Sequence, residues 1–153
     1  MSGIPHSIPT ELVQAYRNAS YVVSISSQEI ILKVDQSNRE LSVLMKGSGV
    51  KSAAFLTAYN PFSQELTLEE NQLRHGRLEA DVNSLGLEFL PGEGRDDSGR
   101  WPSERSILVL GIELEGAEHL ADEYGQNAFI WIGTDQGDVK LHLRHRSGDE
   151  GDA

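Results

Sequence analysis

The sequence predicts an α+β domain built on one antiparallel sheet, and three observations carry that expectation. From Ala53 onward, short apolar runs alternate with helical periodicity in the order strand, helix, strand, strand, helix, strand. Both helical segments are punctuated: Thr67 with Glu70 reads as a capping box, and Gly86 and Gly125 stand where helices end. The chain has 153 residues, of which 38% are hydrophobic and 15 are glycine, which suits a single core with many turns. That element order is the split βαβ plan of ferredoxin-like sandwiches, with two helices on one face of the sheet. An N-terminal helix and extra strands extend or cover it.

Taken in order, residues 1–9 carry two prolines and read as a flexible arm. Leu12, Val13 and Tyr16 fall at helical spacing behind Thr10, which can cap, and Glu11, so a helix is expected over about 10–19. Tyr21 to Ile25 and Glu29 to Val34 are rich in β-branched residues and read as strands. Asp35 to Asn38 is a turn cluster, Leu41 to Met45 reads as a further strand, and Lys46 to Ser52 as a flexible connector. Ala53 to Tyr59 is continuously apolar, the pattern of a central strand, and Asn60-Pro61 ends it.

The helix after Thr67 runs to about Ser84. It has Asn71, Leu78, Val82 and Leu85 near one face, and Gly76 marks a close packing contact. Leu87 to Leu90 is a short strand, Pro91 to Glu104 a glycine-bearing loop, and Ser106 to Ile112 a buried strand. Glu115 to Tyr124 is helical, with Ala117, Leu120, Ala121 and Tyr124 on one stripe. Ala128 to Ile132, a turn at Asp135 to Asp138 and Val139 to Leu143 complete the sheet. The domain is therefore placed at 10–146, followed by a disordered acidic tail over 147–153.

Composition excludes several classes of function. The net charge of −11 makes the average surface repel nucleic acid and anionic membranes. No apolar run approaches the roughly 20 residues of a bilayer span. The N-terminus has no signal-peptide pattern, so a cytoplasmic location is expected. Cysteine is absent, the histidines lack zinc-ligand spacing, and no nucleophile elbow or P-loop occurs, so no metal or cofactor is expected. His75 and His119 are assigned to solvated helix faces. The basic stretch Lys140 to Arg146 reads as a charge-protected strand edge or a contact for an acidic partner.

What remains is a set of polar clusters at the ends of apolar runs. In the split βαβ plan the exit of the first strand at Asn60, the helix start near Asn71, the 91–104 loop and Gln126-Asn127 meet at one sheet end. Each residue has two readings. Asn60 closes a turn or orients a ligand, and Asn71 caps backbone or lines a polar pocket. Trp101 plugs the sheet end or stacks a ring. Glu104 pairs with Arg105 or Arg77, or acts as a general base raised by burial. Glu93 shares that acid–base role. Gln126 and Asn127 satisfy turn backbone or read a substrate edge. Arg95 and Arg100 belong to a mobile loop or to a lid that meets an anion.

Ala54-Phe55-Leu56-Thr57-Ala58-Tyr59-Asn60-Pro61, Asn71, Gly92-Glu93-Gly94, Trp101 with Glu104-Arg105-Ser106, and Gly125-Gln126-Asn127-Ala128 together resemble a bacterial family. It is catalogued as domain of unknown function 3293. The similarity extends over roughly residues 10–135 and implies a single-domain intracellular protein, with no established activity. The function expected is binding of a small anionic or nucleotide-like ligand at one sheet end, through Asn60, Asn71, Glu93, Trp101, Glu104, Gln126 and Asn127. The alternative is an acidic protein-interaction or regulatory module, and whether the chain is an enzyme stays open.

Overall fold

A computed structural model describes residues 7–144 and 146–147. Elements follow in the order β1 (Ser7–Ile8), α1 (Thr10–Asn18), β2 (Ser20–Ile25), β3 (Gln28–Leu32), α2 (Arg39–Ser48), β4 (Ala53–Leu56), α3 (Leu68–Ser84), β5 (Glu88–Arg95), β6 (Glu104–Leu110), α4 (Leu114–Glu123), β7 (Ala128–Ile132), β8 (Lys140–Leu143) and β9 (Arg146–Ser147). A 3₁₀ turn at Pro61–Ser63 links β4 to α3. Seven strands form one antiparallel sheet in the order β3-β2-β5-β6-β4-β7-β8, and β1 pairs in parallel with β9. Residues 1–6 of the expected arm, and the tail from residue 148, lie outside the described residues.

β4 takes only the first four residues of the apolar run, all buried between β6 and β7, and Thr57 to Tyr59 lie beyond the strand. Its alternation divides the core. Ala54 and Leu56 face Leu78 and Val82 of α3 and Ala117, Leu120 and Ala121 of α4. Ala53 and Phe55 face the opposite way, onto a cluster that includes Leu41 and Met45 of α2. Helices therefore cover both faces of the sheet.

This is the main correction to the sequence reading. Leu41 to Met45 is helical, not a strand, and the expected connector begins inside the same helix. Asn38 caps α2 by accepting from Leu41 N–H at 2.9 Å, and Gly49 at φ 72° ends it. Leu41 and Met45 share the buried face one turn apart, while Val43 is exposed.

The sheet curls around α2 until its two sides meet. Asp35 N–H donates to Val139 C=O at 2.8 Å, Val139 N–H to Gln36 C=O at 3.2 Å and Asn38 N–H to Gly137 C=O at 2.9 Å. A bridge between Ser37 and Asp138 completes the seam. At the other end of the curl lies α1, held on one side through β1 and β9 and running directly into β2 on the other. Thr10 is its first residue; Pro9 occupies the capping position, without a side-chain cap.

Other differences are local. The segment 91–95 is not loop: β5 continues to Arg95, paired with both β2 and β6. Gly92 permits this, because a Cβ there would stand 2.4 Å from Val22 O and 2.9 Å from the Phe55 ring. Leu85 is exposed rather than on the buried face of α3, and His75, expected on a solvated face, is 2% exposed. Gly76 has open space around its missing Cβ, so it marks no packing contact. The capping box is present, with Thr67 Oγ1 accepting from Glu70 N–H and Glu70 from Thr67 N–H, both at 3.1 Å. Among the described residues, no helix is long and apolar enough to cross a membrane.

The two glycines should respond oppositely to the same substitution. Gly76→Ala is expected to stabilise by about 0.5–1 kcal/mol through helix propensity. Gly92→Ala is expected to destabilise by about 1–3 kcal/mol through overpacking. Urea denaturation of the two variants beside the wild type measures both.

Candidate functional site

The turn leaving β4 organises the site. Asn60 sits in the left-handed region at φ 47°, a conformation asparagine tolerates better than most residues. Its backbone N–H donates to Asn71 Oδ1, and its Oδ1 accepts from both Asn71 Nδ2 and Leu66 N–H, each at 2.9 Å. Asn71 lies on the first turns of α3 and is buried. With its oxygen thus occupied, Asn60 turns its Nδ2 toward β6 and donates to Glu104 Oε2 at 2.8 Å. Phe62 and Ser63 also adopt positive φ, so three of four consecutive residues are left-handed. Such a run of non-glycine residues persists only where the surroundings hold it. Here Phe62 N–H donates to Gly125 C=O at 2.6 Å, and a Cβ on Gly125 would stand 2.8 Å from Pro61.

Glu104 makes no ion pair among the described residues, which corrects the expected pairing with Arg105 or Arg77. Strand alternation places Arg105 on the α3 side of β6 and Glu104 on the concave side. Burial pushes the Glu104 carboxyl above the usual glutamate range, and the hydrogen bond from Asn60 opposes that shift. Only Oε2 is engaged; Oε1 takes no hydrogen bond from the described residues.

Glu104 opens on a cleft of about 560 Å³ between α1 and the concave face of the sheet. α1 presents Leu12, Ala15 and Tyr16 from one helical stripe, with Ala19 at its C-cap, and the sheet presents Tyr21, Phe55, Ser106 and Ile130. Tyr21 packs edge-on against Phe55 at 5.5 Å between ring centres, and its hydroxyl donates to Tyr16 C=O at 2.6 Å. Burial, reinforced by Tyr16 and Glu104, raises the Tyr21 hydroxyl pKa far above its ordinary value. Tyr16 shifts the same way, chiefly through burial.

Trp101, 49% exposed, stands at the mouth with the Arg100 guanidinium 5.4 Å above its ring. The loop that carries it is tied down. Asp96 accepts from the backbone N–H of Ser98, Arg100 and Trp101, and Asp97 accepts from Ser20 at 2.7 Å and Lys33 at 2.8 Å.

The structure thus brings Asn60, Trp101, Glu104 and Gln126 to the cleft. Asn71 and Asn127 stand behind it, both buried. Asn127 Nδ2 reaches Ser63 Oγ at 3.3 Å and the Tyr16 hydroxyl at 3.5 Å, while its Oδ1 is buried without a partner among the described residues. Gln126 Nε2 donates to the carbonyls of Tyr59 and Tyr124 at 2.9 and 3.1 Å. Glu93 does not join them. It points to the opposite face of β5 from Gly94 and, with Glu29, holds Arg95.

The sequence reading missed Tyr16, Tyr21 and Phe55 as cleft walls. It also missed Arg74, whose guanidinium serves the carbonyls of Ala58 and Tyr124 behind the site. His142 and Arg144 of the basic stretch are engaged within the chain by Glu118, and Arg144 also by Asp122.

The molecule is therefore a mixed α/β protein whose curled seven-stranded antiparallel sheet holds an aromatic cleft around one weakly partnered carboxyl. Residues 56–129 match the model of the family described as Protein of unknown function (DUF3293), which bears out the resemblance over that segment. The matched stretch contains Asn60, Asn71, Trp101, Glu104, Gln126 and Asn127, and leaves out Tyr16 and Tyr21 of the facing wall. Neither the curated proteins nor the solved structures include a match to this chain.

The Glu104 environment sets a pH dependence. A carboxyl whose folded pKa is raised binds its proton more tightly in the folded state, so stability falls as pH rises from the ordinary glutamate value through the raised one. Facing it are Tyr16 and Tyr21, neutral over that window, the acids Glu65 and Asp96, and Arg95 and Arg100. Glu104→Gln keeps an acceptor for Asn60 and removes the titration. The variant is therefore expected to gain stability over the wild type at pH 7 and to lose that advantage near pH 4. Thermal denaturation across pH reads this out, and parallel profiles for the two proteins would refute it.

Proposed function

We propose that this protein binds a small, ring-bearing, nucleotide-like molecule in the cleft between α1 and the concave face of the sheet. The observation that carries the reading is the cleft itself. Its volume of about 560 Å³ falls within the roughly 300–1,000 Å³ of small-molecule sites. Aromatic and aliphatic side chains, among them Leu12, Phe55, Phe129 and Ile130, share its walls with polar groups, of which Asn60, Glu104 and Gln126 are held by hydrogen bonds. A planar ring would insert against Tyr21 and Phe55 with Trp101 over the mouth, and aromatic walls favour such a ring. Asn60 and Glu104 would meet its polar edge, and Arg100 at the rim would meet an anionic substituent.

In this reading Gln126, Asn71 and Asn127 are positioning residues rather than contacts. Gln126 fixes the backbone at Tyr59, Asn71 locks the Asn60 amide, and Asn127 braces Tyr16. Glu93 has no part in the site. The left-handed run at 60–63 supports the reading too, because backbone strain of this kind concentrates where ligands are held. We read the β4–β7 segment, with its strand order β5-β6-β4-β7 and α3 and α4 on one face, as a ferredoxin-like unit. The N-terminal elements then supply the second wall of the cleft.

A thermal-shift screen of nucleosides, nucleotides and phosphorylated metabolites tests the proposal. A compound present at about 100 times its dissociation constant should stabilise the fold by about 2.7 kcal/mol. Trp101→Ala, at a half-exposed position, is expected to weaken that compound about tenfold while leaving the unliganded melting temperature within a degree or so. A screen without any shift, together with a stoichiometric protein partner that ignores Trp101→Ala, would move the assignment to an interaction module.

A further inference from the structure

Building on the proposed small-molecule cleft, we infer that its deep end selects a planar group carrying two adjacent N–H donors, and that Glu104 is the residue that reads them. Such an edge occurs in amidines and guanidines and in the aminopyrimidinone ring of guanine. Ionised, Glu104 is acceptor-only, with about four lone-pair positions. Asn60 Nδ2 fills one of them, and no cation is paired with either oxygen among the described residues.

The orientation of the pair is fixed as well. Because Asn60 Oδ1 already accepts from Leu66 N–H and Asn71 Nδ2, the amide cannot turn over without losing both bonds. Asn60 therefore presents a donor to Glu104 and holds its carboxylate as an acceptor surface toward the cleft. Two parallel N–H···O bonds to a carboxylate form the fork geometry that gives planar donors their specificity. The nearby walls match a flat group, with Tyr21 and Phe55 on the sheet and Tyr16 on α1.

Electrostatics point the same way. Glu65, Asp96 and Glu104 line the cleft against Arg95 and Arg100, and Arg95 is already held by Glu93 and Glu29. The interior thus favours a donor edge or a cation over an anion, and an anionic substituent is left to the rim at Arg100. Rejection of ligands without the donors follows from the same arrangement. A molecule that fills the cleft but offers Glu104 nothing leaves a desolvated carboxyl without its partner.

The test uses two matched pairs of probes, titrated into the full chain by isothermal calorimetry. Guanosine carries the N–H pair and inosine lacks its amino half. Benzamidine carries the pair as a cation and benzamide does not. The inference expects at least a tenfold preference for the donor member of one pair, and which pair shows it separates a nucleobase from an amidine-type cation. Glu104→Gln, which keeps the Asn60 hydrogen bond and should fold, is expected to reduce that preference to within threefold. Equal affinity within both pairs, with binding still weakened by Trp101→Ala, would overturn the inference and leave the cleft reading standing. Failure of all four probes, and of the wider nucleoside screen, to bind would remove both.

Discussion

The buried amide pair of Asn60 and Asn71 ties together three segments that are distant in sequence. Three hydrogen bonds at 2.9 Å join the exit of β4, the approach to α3 at Leu66 and the first turns of α3 itself. Neither residue carries charge, so the network avoids the desolvation cost of a buried ion pair. In a low-dielectric setting its satisfied bonds hold the left-handed backbone at Asn60 that an ordinary residue would resist. Every other feature of the site inherits its position from this knot. It frees Asn60 Nδ2 for Glu104, and it sets the turn that docks on Gly125 and so places Gln126 and Asn127.

Around that knot the curled sheet solves a filling problem in two ways. Its concave side is long enough for two helices. α2 fills one end with Leu41 and Met45, packed against residues from both sides of the curl. α1 covers the other end, but Ala15 on its facing stripe and Ala19 at its C-cap are both small. Protein interiors pack closely, so a helix meant only to seal the sheet would present larger side chains there. The alanines keep the cleft open, and Tyr16 gives it a ring with a polar end. The open volume is therefore written into the helix sequence.

That division explains what could be read from the sequence. The capping box at Thr67, the glycine stops at Gly86 and Gly125 and the apolar run of β4 are local signals, and each lies where the spacing puts it. Asn60, Asn71 and Glu104 were legible as a converging set because strand order alone brings them to one end. α2 was not legible as a helix. Leu41, Val43, Leu44 and Met45 crowd together like a strand, and their caps, Asn38 and Gly49, resemble turn residues in any context. The length of β5 was hidden for a similar reason. Pro91 and two glycines look like loop, yet pairing with β2 begins only at Gly92, so Pro91 lacks no hydrogen bond on that side. Tyr16 and Tyr21 escaped because only the curl of the sheet brings them opposite Glu104, and curl leaves no mark in periodicity.

The choice of partner for Glu104 is the chemically informative one. Elsewhere in this chain carboxylates are taken up by guanidinium groups: Glu118 and Asp122 by Arg144, and Glu29 and Glu93 by Arg95. An arginine at the same place would hold Glu104 ionised and occupy both its oxygens through its fork of donors. Asparagine does neither. One amide N–H orients the carboxyl, leaves most of its acceptor capacity free and lets burial keep its pKa above the ordinary range. Arg105, adjacent in sequence, is kept on the other face of β6 by strand alternation, so the separation is built into the sheet. Oriented by one amide and with Oε1 unbonded among the described residues, Glu104 keeps most of its acceptor capacity at the floor of an aromatic cleft.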